Sequence, residues 1–310
     1  MSKTLYYKDV YLVPKYSFLN SRSDADTSIV LGRNKFKLPV VPSNMKSVID
    51  EKWCKWLSEN EYFYVMHRFD DINVKFVETA NKENWRTISI SIGVNKESQE
   101  EIIKCKSQNL RIDYFTIDVA HGHSLKVMEM IKFVKNLYPD SFLIVGNTAT
   151  AEATSEIESW GADATKCCIG SGMACSTKLK TGFHVPPFSC VLECSSVAKK
   201  PIIADGGVEH YGDIAKGLVA GATMVMCGGI FASCVDSPAP HINGKKIYFG
   251  NASERAKGQN KHVEGFELNL NPDITLEEKL KEIKEALQSS ISYAGGKDLS
   301  CFTCVDYITI

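Results

Sequence analysis

Short apolar runs rich in β-branched residues alternate with longer amphipathic stretches along almost the whole chain. The runs are Leu38 to Pro42, Tyr62 to Met66, Thr87 to Ile92, Tyr114 to Ile117, Phe142 to Val145, Ala164 to Ile169, Pro201 to Ala204 and Thr223 to Cys227. Each gives way to polar residues or glycine and then to a helix-like segment, so the pattern predicts strand-then-helix units. Their starts recur at roughly 22 to 28 residues, with one gap of about 37 between the sixth and seventh, which marks a single enlarged loop. Helix punctuation agrees. Asp50 precedes EKWCKWLSEN, Thr150 precedes AEATSEIESW with Gly161 after it, and Gly221 follows the segment from Gly212 to Ala220. The units share no residue signature, which argues against a solenoid. Eight parallel strands with right-handed crossovers close into a barrel. The expected fold is therefore an α/β TIM (β/α)8 barrel, a single domain over 1–310 with a lead-in at about 1–37 and a tail at about 290–310. The alternation of Val305, Tyr307 and Ile308 predicts an extended tail laid on the barrel or on a neighbour.

Composition narrows the partners. The 310 residues are 44% hydrophobic and 24% charged with a net charge of −1, ordinary globular usage that gives no electrostatic support to a nucleic-acid or anionic-membrane partner. The opening MSKTLYYKDV lacks a secretory apolar core, and no run nears the roughly 18 to 20 apolar residues of a membrane span. A cytoplasmic protein acting on small molecules is expected. Eleven cysteines in a chain this long suit a reducing compartment rather than a disulfide framework. Cys301 and Cys304 have a CxxC spacing without the second pair of a zinc site.

In a barrel of this type the chemistry gathers where strands end. Asn44, His67, Gly93, Asp118, His121, His123, Asn147, Gly170, Asp205 and Gly228 all follow predicted strands. His121 and His123 lack a third ligand at suitable spacing, so hydrogen bonding is the better reading there. The enlarged loop carries CIGSGMACSTKLKTG, where Gly170 and Gly172 let backbone N–H groups converge on an anion. Cys175 follows three residues later as a candidate nucleophile, and Thr177 offers a hydroxyl beside it. Asp205-Gly206-Gly207 and Gly228-Gly229 end the last two strands, the usual phosphate position of this architecture. Asp205 repels phosphate and suits sugar hydroxyls, which points to a ribose 5'-phosphate.

These residues lie within a longer resemblance. YYKDVYLVP, Ser21-Arg22-Ser23-Asp24, LPVVPSNM, YFYVMHR, TIDVAHGHS, VGN, the loop above, IIADGG, TMVMCGG, NASE and SSISYAGG resemble, in order and nearly end to end, the inosine monophosphate dehydrogenase and guanosine monophosphate reductase family. The likeness is nearer its reductase branch, because only about eight residues join Gly250 to Gln259, too few for the dehydrogenase flap, and Arg255 is not followed by tyrosine. The resemblance implies a homotetramer converting GMP to IMP and ammonia with NADPH, through a covalent adduct of Cys175 with C2 of guanine. Gly170, Ser171, Gly172, Gly206, Gly207, Gly228 and Gly229 would hold the phosphate, Asp205 the ribose, and Asn251, Ala252 and Ser253 the base edge. Asp118 and Asn147 would adjoin the nicotinamide, with His67 and Arg68 near cofactor phosphate. Carbonyls of Gly170, Gly172 and Cys175 match a monovalent-cation site, for K+.

Three positions depart from the family pattern. Ser171 stands where proline is usual, and Ser176 where threonine is common. Gln259 aligns where the reductases carry a glutamate that pairs with Thr177 to protonate departing ammonia. Glutamine relays no proton, and losing a positioned acid costs about a hundredfold to ten-thousandfold. A slowed reductase is therefore expected, with Glu254 or Glu264 as substitute acids. The alternatives are a purine-nucleotide-binding protein with little turnover and, disfavoured by the missing flap, an IMP dehydrogenase.

Overall fold

The computed structural model describes residues 4–69, 73–258 and 263–310. Three short strands come first: β1 (Val10–Leu12), β2 (Ile29–Leu31) and β3 (Asn34–Phe36). The barrel staves are β4 (Val40–Pro42), β5 (Ser89–Ile92), β6 (Tyr114–Asp118), β7 (Phe142–Thr148), β8 (Ala164–Cys167), β9 (Ile202–Asp205) and β10 (Met224–Cys227). They form one parallel seven-stranded sheet in the order β4-β10-β9-β8-β7-β6-β5. The remaining apolar run, Tyr62 to Met66, sits between its two ends. Met66 bridges Ile90 in parallel, and Lys37 N donates to Glu61 O at 2.9 Å where the first and second runs begin. The second run thus enters the ring through one bridge rather than a full ladder. The fold is the α/β TIM barrel expected from the periodicity.

Alternation along the staves divides the core in two. Val41, Phe63, Val65, Tyr114, Ile144, Ala164, Ile203, Met224 and Met226 fill the ring interior, with Leu31 and Phe36 of the β2–β3 hairpin packed against them. That hairpin is the plug. Tyr114 Oη donates to Leu31 O at 2.8 Å and accepts from Asn34 Nδ2 at 2.8 Å, which satisfies the polar end of an otherwise apolar ring. The larger cluster lies between staves and helices. Asp50 caps the helix Glu51–Glu59 by accepting from Trp53 N, and Thr150 caps Ala151–Trp160 before Gly161 ends it in the left-handed region.

Beyond β10 the chain adds β11 (His241–Ile242), β12 (Lys245–Phe249) and β13 (Glu267–Leu270), a three-stranded sheet. The tail forms β14 (Tyr307–Thr309), which pairs antiparallel with β1, and Tyr307 meets Phe188 edge-on at 4.9 Å. The extended tail of the sequence reading is therefore laid on this chain's own lead-in. Among the described residues no helix is long and apolar enough to cross a membrane.

Candidate active site

The sixth predicted strand ends early. β8 stops at Cys167 because Cys168 turns into the left-handed region at φ 89°, releasing the enlarged loop over the mouth of the ring. His184 fastens that loop, with Nδ1 2.7 Å from Ile169 O and Nε2 3.1 Å from Tyr6 Oη. The loop then pairs with the segment 264–266. Cys175 bridges Gly265 in antiparallel fashion, Ser176 N donates to Glu264 O at 2.7 Å, and Phe266 N donates to Ala174 O at 3.1 Å.

This pairing sets three side chains in line. The half-buried Cys175 thiol donates to Thr177 Oγ1 at 3.2 Å, and Thr177 Oγ1 donates to Glu264 Oε2 at 2.7 Å. A proton leaving the sulfur has a continuous route to a carboxylate, and the same route can return it. Gln259, assigned to the acid position above, lies outside the described residues; the carboxylate that Thr177 meets is Glu264. Glu264 is one of the two substitute acids that the sequence offered, and the Cys175–Gly265 pairing brings it to Thr177.

A second group of polar side chains forms the floor. Lys166 on β8 is only 1% exposed, yet its Nζ lies 2.9 Å from Asp118 Oδ1, 2.6 Å from Asp205 Oδ2 and 2.5 Å from Asn147 Oδ1. Asn147 Nδ2 in turn donates to Asp205 Oδ2 at 2.9 Å and to Cys168 O at 2.7 Å. Burial disfavours the Lys166 charge, but Asp118 and Asp205 outweigh it and hold the ammonium above its ordinary range. Burial likewise opposes ionisation of Asp118, and Lys166 and Arg68 overcome it, keeping that carboxyl below the usual range. A buried charge of each sign is thus retained because the other is there. Gly146 makes room for the lysine: a Cβ on it would lie 2.6 Å from Lys166 O.

The residues expected to hold phosphate line a small recess of about 70 Å³, with Ser43, Ser171, Gly172, Gly206, Gly228 and Tyr248 among its walls. Gly206 has φ 86°, and a Cβ there would strike Gly172 N at 2.9 Å, so only glycine lets the two loops touch. Ser171 Oγ is buried without a partner among the described residues, a donor awaiting an acceptor. Burial, and then the Asp205 charge, raise the Tyr248 hydroxyl, which keeps it a proton donor into the recess. The recess adjoins a cavity of about 660 Å³ lined by Cys175, Thr177, Glu264, Asp205, Asn251 and Ala252, extending past Asp118 to Lys46 and Arg68.

Most residues singled out from sequence therefore meet at one mouth. Two do not. His67 is 5% exposed and accepts from Phe69 N through Nδ1 at 3.3 Å, while neighbouring Arg68 lines the cavity and donates through Nε to Asp118 O at 3.2 Å. Ser253 is buried and accepts from Ala256 N, capping the helix Glu254–Lys257. His123 Nε2 lies 2.9 Å from Glu156 Oε2, the hydrogen-bonding role expected of it. Lys166, Tyr248, Lys46 and His184 were missed. The signal for Lys166 was a lone lysine inside an otherwise apolar strand, ATKCC. Tyr248 lay in a segment not recognised as part of the site.

The IMP dehydrogenase / GMP reductase domain model matches residues 4–306. The chain belongs to that family. It is 48% identical to a protein named GMP reductase from Staphylococcus aureus strain JH9, covering 98% of this chain and 95% of that one. It is also 48% identical to one of the same name from Oceanobacillus iheyensis, covering 100% and 97%. This family's chemistry is oxidoreduction, and the chain is an oxidoreductase using a nicotinamide cofactor.

Proposed function

We propose that the protein reduces GMP to IMP and ammonia with NADPH, and that Cys175, Thr177 and Glu264 carry the deamination. The observation that supports this most is the unbroken hydrogen-bond line from thiol to carboxylate at the rim of a nucleotide-sized cavity. The phosphate of GMP takes the recess, where Ser171 and Tyr248 donate alongside backbone N–H groups. Asp205 has one oxygen engaged by Lys166 and Asn147, and its other oxygen accepts from ribose hydroxyls. Asn251, whose Nδ2 donates to Asn44 O at 3.2 Å, holds the base edge with Ala252.

With the purine so placed, the Cys175 proton passes through Thr177 to Glu264 as sulfur bonds to C2. Glu264 then returns a proton through Thr177 to the departing amine, leaving a thioimidate on Cys175 and free ammonia. NADPH, when bound, supplies the hydride that reduces this carbon; Cys175 is released as the C–S bond breaks, and IMP results. The residues present fit that cofactor: Asp118, Asn147 and Lys166 form a polar floor for the nicotinamide end, and Lys46 and Arg68 offer cations to phosphate. The proposed K+ site fits less well. Gly172 O accepts from Cys175 N at 3.0 Å, so one of its three carbonyls is engaged within the loop, and no step above uses a cation. The reading includes a cytoplasmic homotetramer, which light scattering on the purified protein tests.

The weak-turnover alternative rested on a missing acid. With Glu264 on Thr177, no observation favours it. The test is NADPH absorbance loss with GMP together with ammonia release: both proceed in the wild type and stop in Cys175→Ala. Tight GMP binding without consumption would refute the proposal.

A further inference from the structure

Three sulfur atoms meet between β8 and the helix that covers it, with a fourth beside them. Cys167 ends the strand and Cys168 follows it, and Cys190 and Cys194 lie one turn apart on the helix Pro187–Val197 that covers it. All four are at most 2% exposed, and all are free thiols. The Sγ atoms of Cys167, Cys190 and Cys194 lie within 4.8 Å of one another, and Cys168 Sγ is 3.9 Å from Cys167 Sγ. Four thiolates around a tetrahedral Zn2+ stand about 3.8 Å apart, given Zn–S bonds of about 2.3 Å. Cys167, Cys190 and Cys194 stand near that spacing, and Cys168, which touches Cys167, has to swing toward the other two to complete the set.

We infer that Cys167, Cys190 and Cys194, with Cys168 as a fourth sulfur, form a structural site for a thiophilic d10 divalent ion, Zn2+ or Cd2+. Among the described residues it is the only group of three or more histidine, cysteine or acidic side chains close enough to share an ion. The donors are all soft sulfur, which disfavours Mg2+ and Ca2+, and on binding Cys194 and Cys168 would give up the thiol hydrogen bonds they make to Thr150 O at 3.7 Å and Pro187 O at 3.9 Å. Each thiol that coordinates gives its proton to solvent, and the sulfur lone pair bonds the ion. Two ligands come from a strand end and two from one helix face, so an ion would tie that helix to the root of the loop carrying Cys175. Ordinary packing is what four small buried thiols do otherwise. The inference is independent of the proposed reaction.

The test uses the reduced whole chain carrying Cys301→Ser and Cys304→Ser, which removes the more exposed pair. It is incubated with Cd2+, stripped with EDTA on a desalting column and assayed for bound metal and for the ultraviolet thiolate-to-metal band. One retained ion per chain is expected, with an all-sulfur shell in X-ray absorption and a raised melting temperature. Adding Cys194→Val should cut retention by at least about tenfold. Should the valine variant fold poorly, Cys190→Ser is measured in the same way, and both the band and the melting rise should fall. No retained ion in the parent, or undiminished retention in folded cluster variants, would overturn the assignment.

Discussion

Thr177 joins a cysteine two residues before it to a glutamate 87 residues after it. Such a path fails at its weakest member. Cys175→Ala should abolish NADPH consumption while leaving GMP affinity within a few-fold, measured by calorimetry. Glu264→Gln keeps the shape and removes the proton, so ammonia release should fall by about a hundredfold to ten-thousandfold. Gln259→Glu, which would accelerate turnover had Thr177 lacked an acid, should leave kcat unchanged. Lys166 offers a separate test. Replacing it with methionine leaves Asp118 and Asp205 facing each other at the cavity wall with some access to water, so urea unfolding should show a loss smaller than the roughly 3 to 5 kcal/mol of a fully buried broken pair. Asp118 is held below its ordinary 3.8, so its contribution is present above that pH and fades as pH falls through the lower folded value. Lys166 is held above 10.5, so its contribution is complete below that pH and fades as pH rises through the higher folded value. The stability gap between wild type and Lys166→Met should therefore be flat across the neutral range and shrink at both extremes.

The staves and their punctuation were legible because burial on both faces of a parallel sheet writes continuous apolar runs, and helix caps write short polar signals. The second run, Tyr62 to Met66, reads like the others yet makes one bridge, since pairing depends on neighbours that periodicity does not encode. The loop after β8 was legible as a cradle with a nucleophile. Its partner from the segment before β13 was legible only as one of two substitute acids, Glu254 or Glu264, because which acid faces Thr177 is decided by the Cys175–Gly265 pairing across the mouth. Gly146 in β7 is a test at this scale. Gly146→Ala places a methyl against Lys166 O, so it should destabilise the fold by about 1 to 3 kcal/mol and lower turnover together. A stable, fully active variant would show that Lys166 need not sit where it does.

Across the whole molecule, the ring is closed below by the β2–β3 plug and strapped at the side by β1 with β14. The strap contributes no residue to the lining of the cavity or the recess. Removing residues 306–310 should lower the melting temperature through lost β1 pairing and lost Tyr307 packing on Phe188, while kcat stays at the wild-type value. The central claim is that guanine becomes covalently attached to Cys175 once ammonia has left. Intact-protein mass spectrometry after acid quenching of the enzyme with GMP, in the absence of NADPH, tests it directly. A mass gain of GMP less ammonia on the Cys175 peptide, absent in Cys175→Ala and much slower to form in Glu264→Gln, is the predicted result. NADPH consumption persisting in Cys175→Ala, with no adduct in the wild type, would contradict the account.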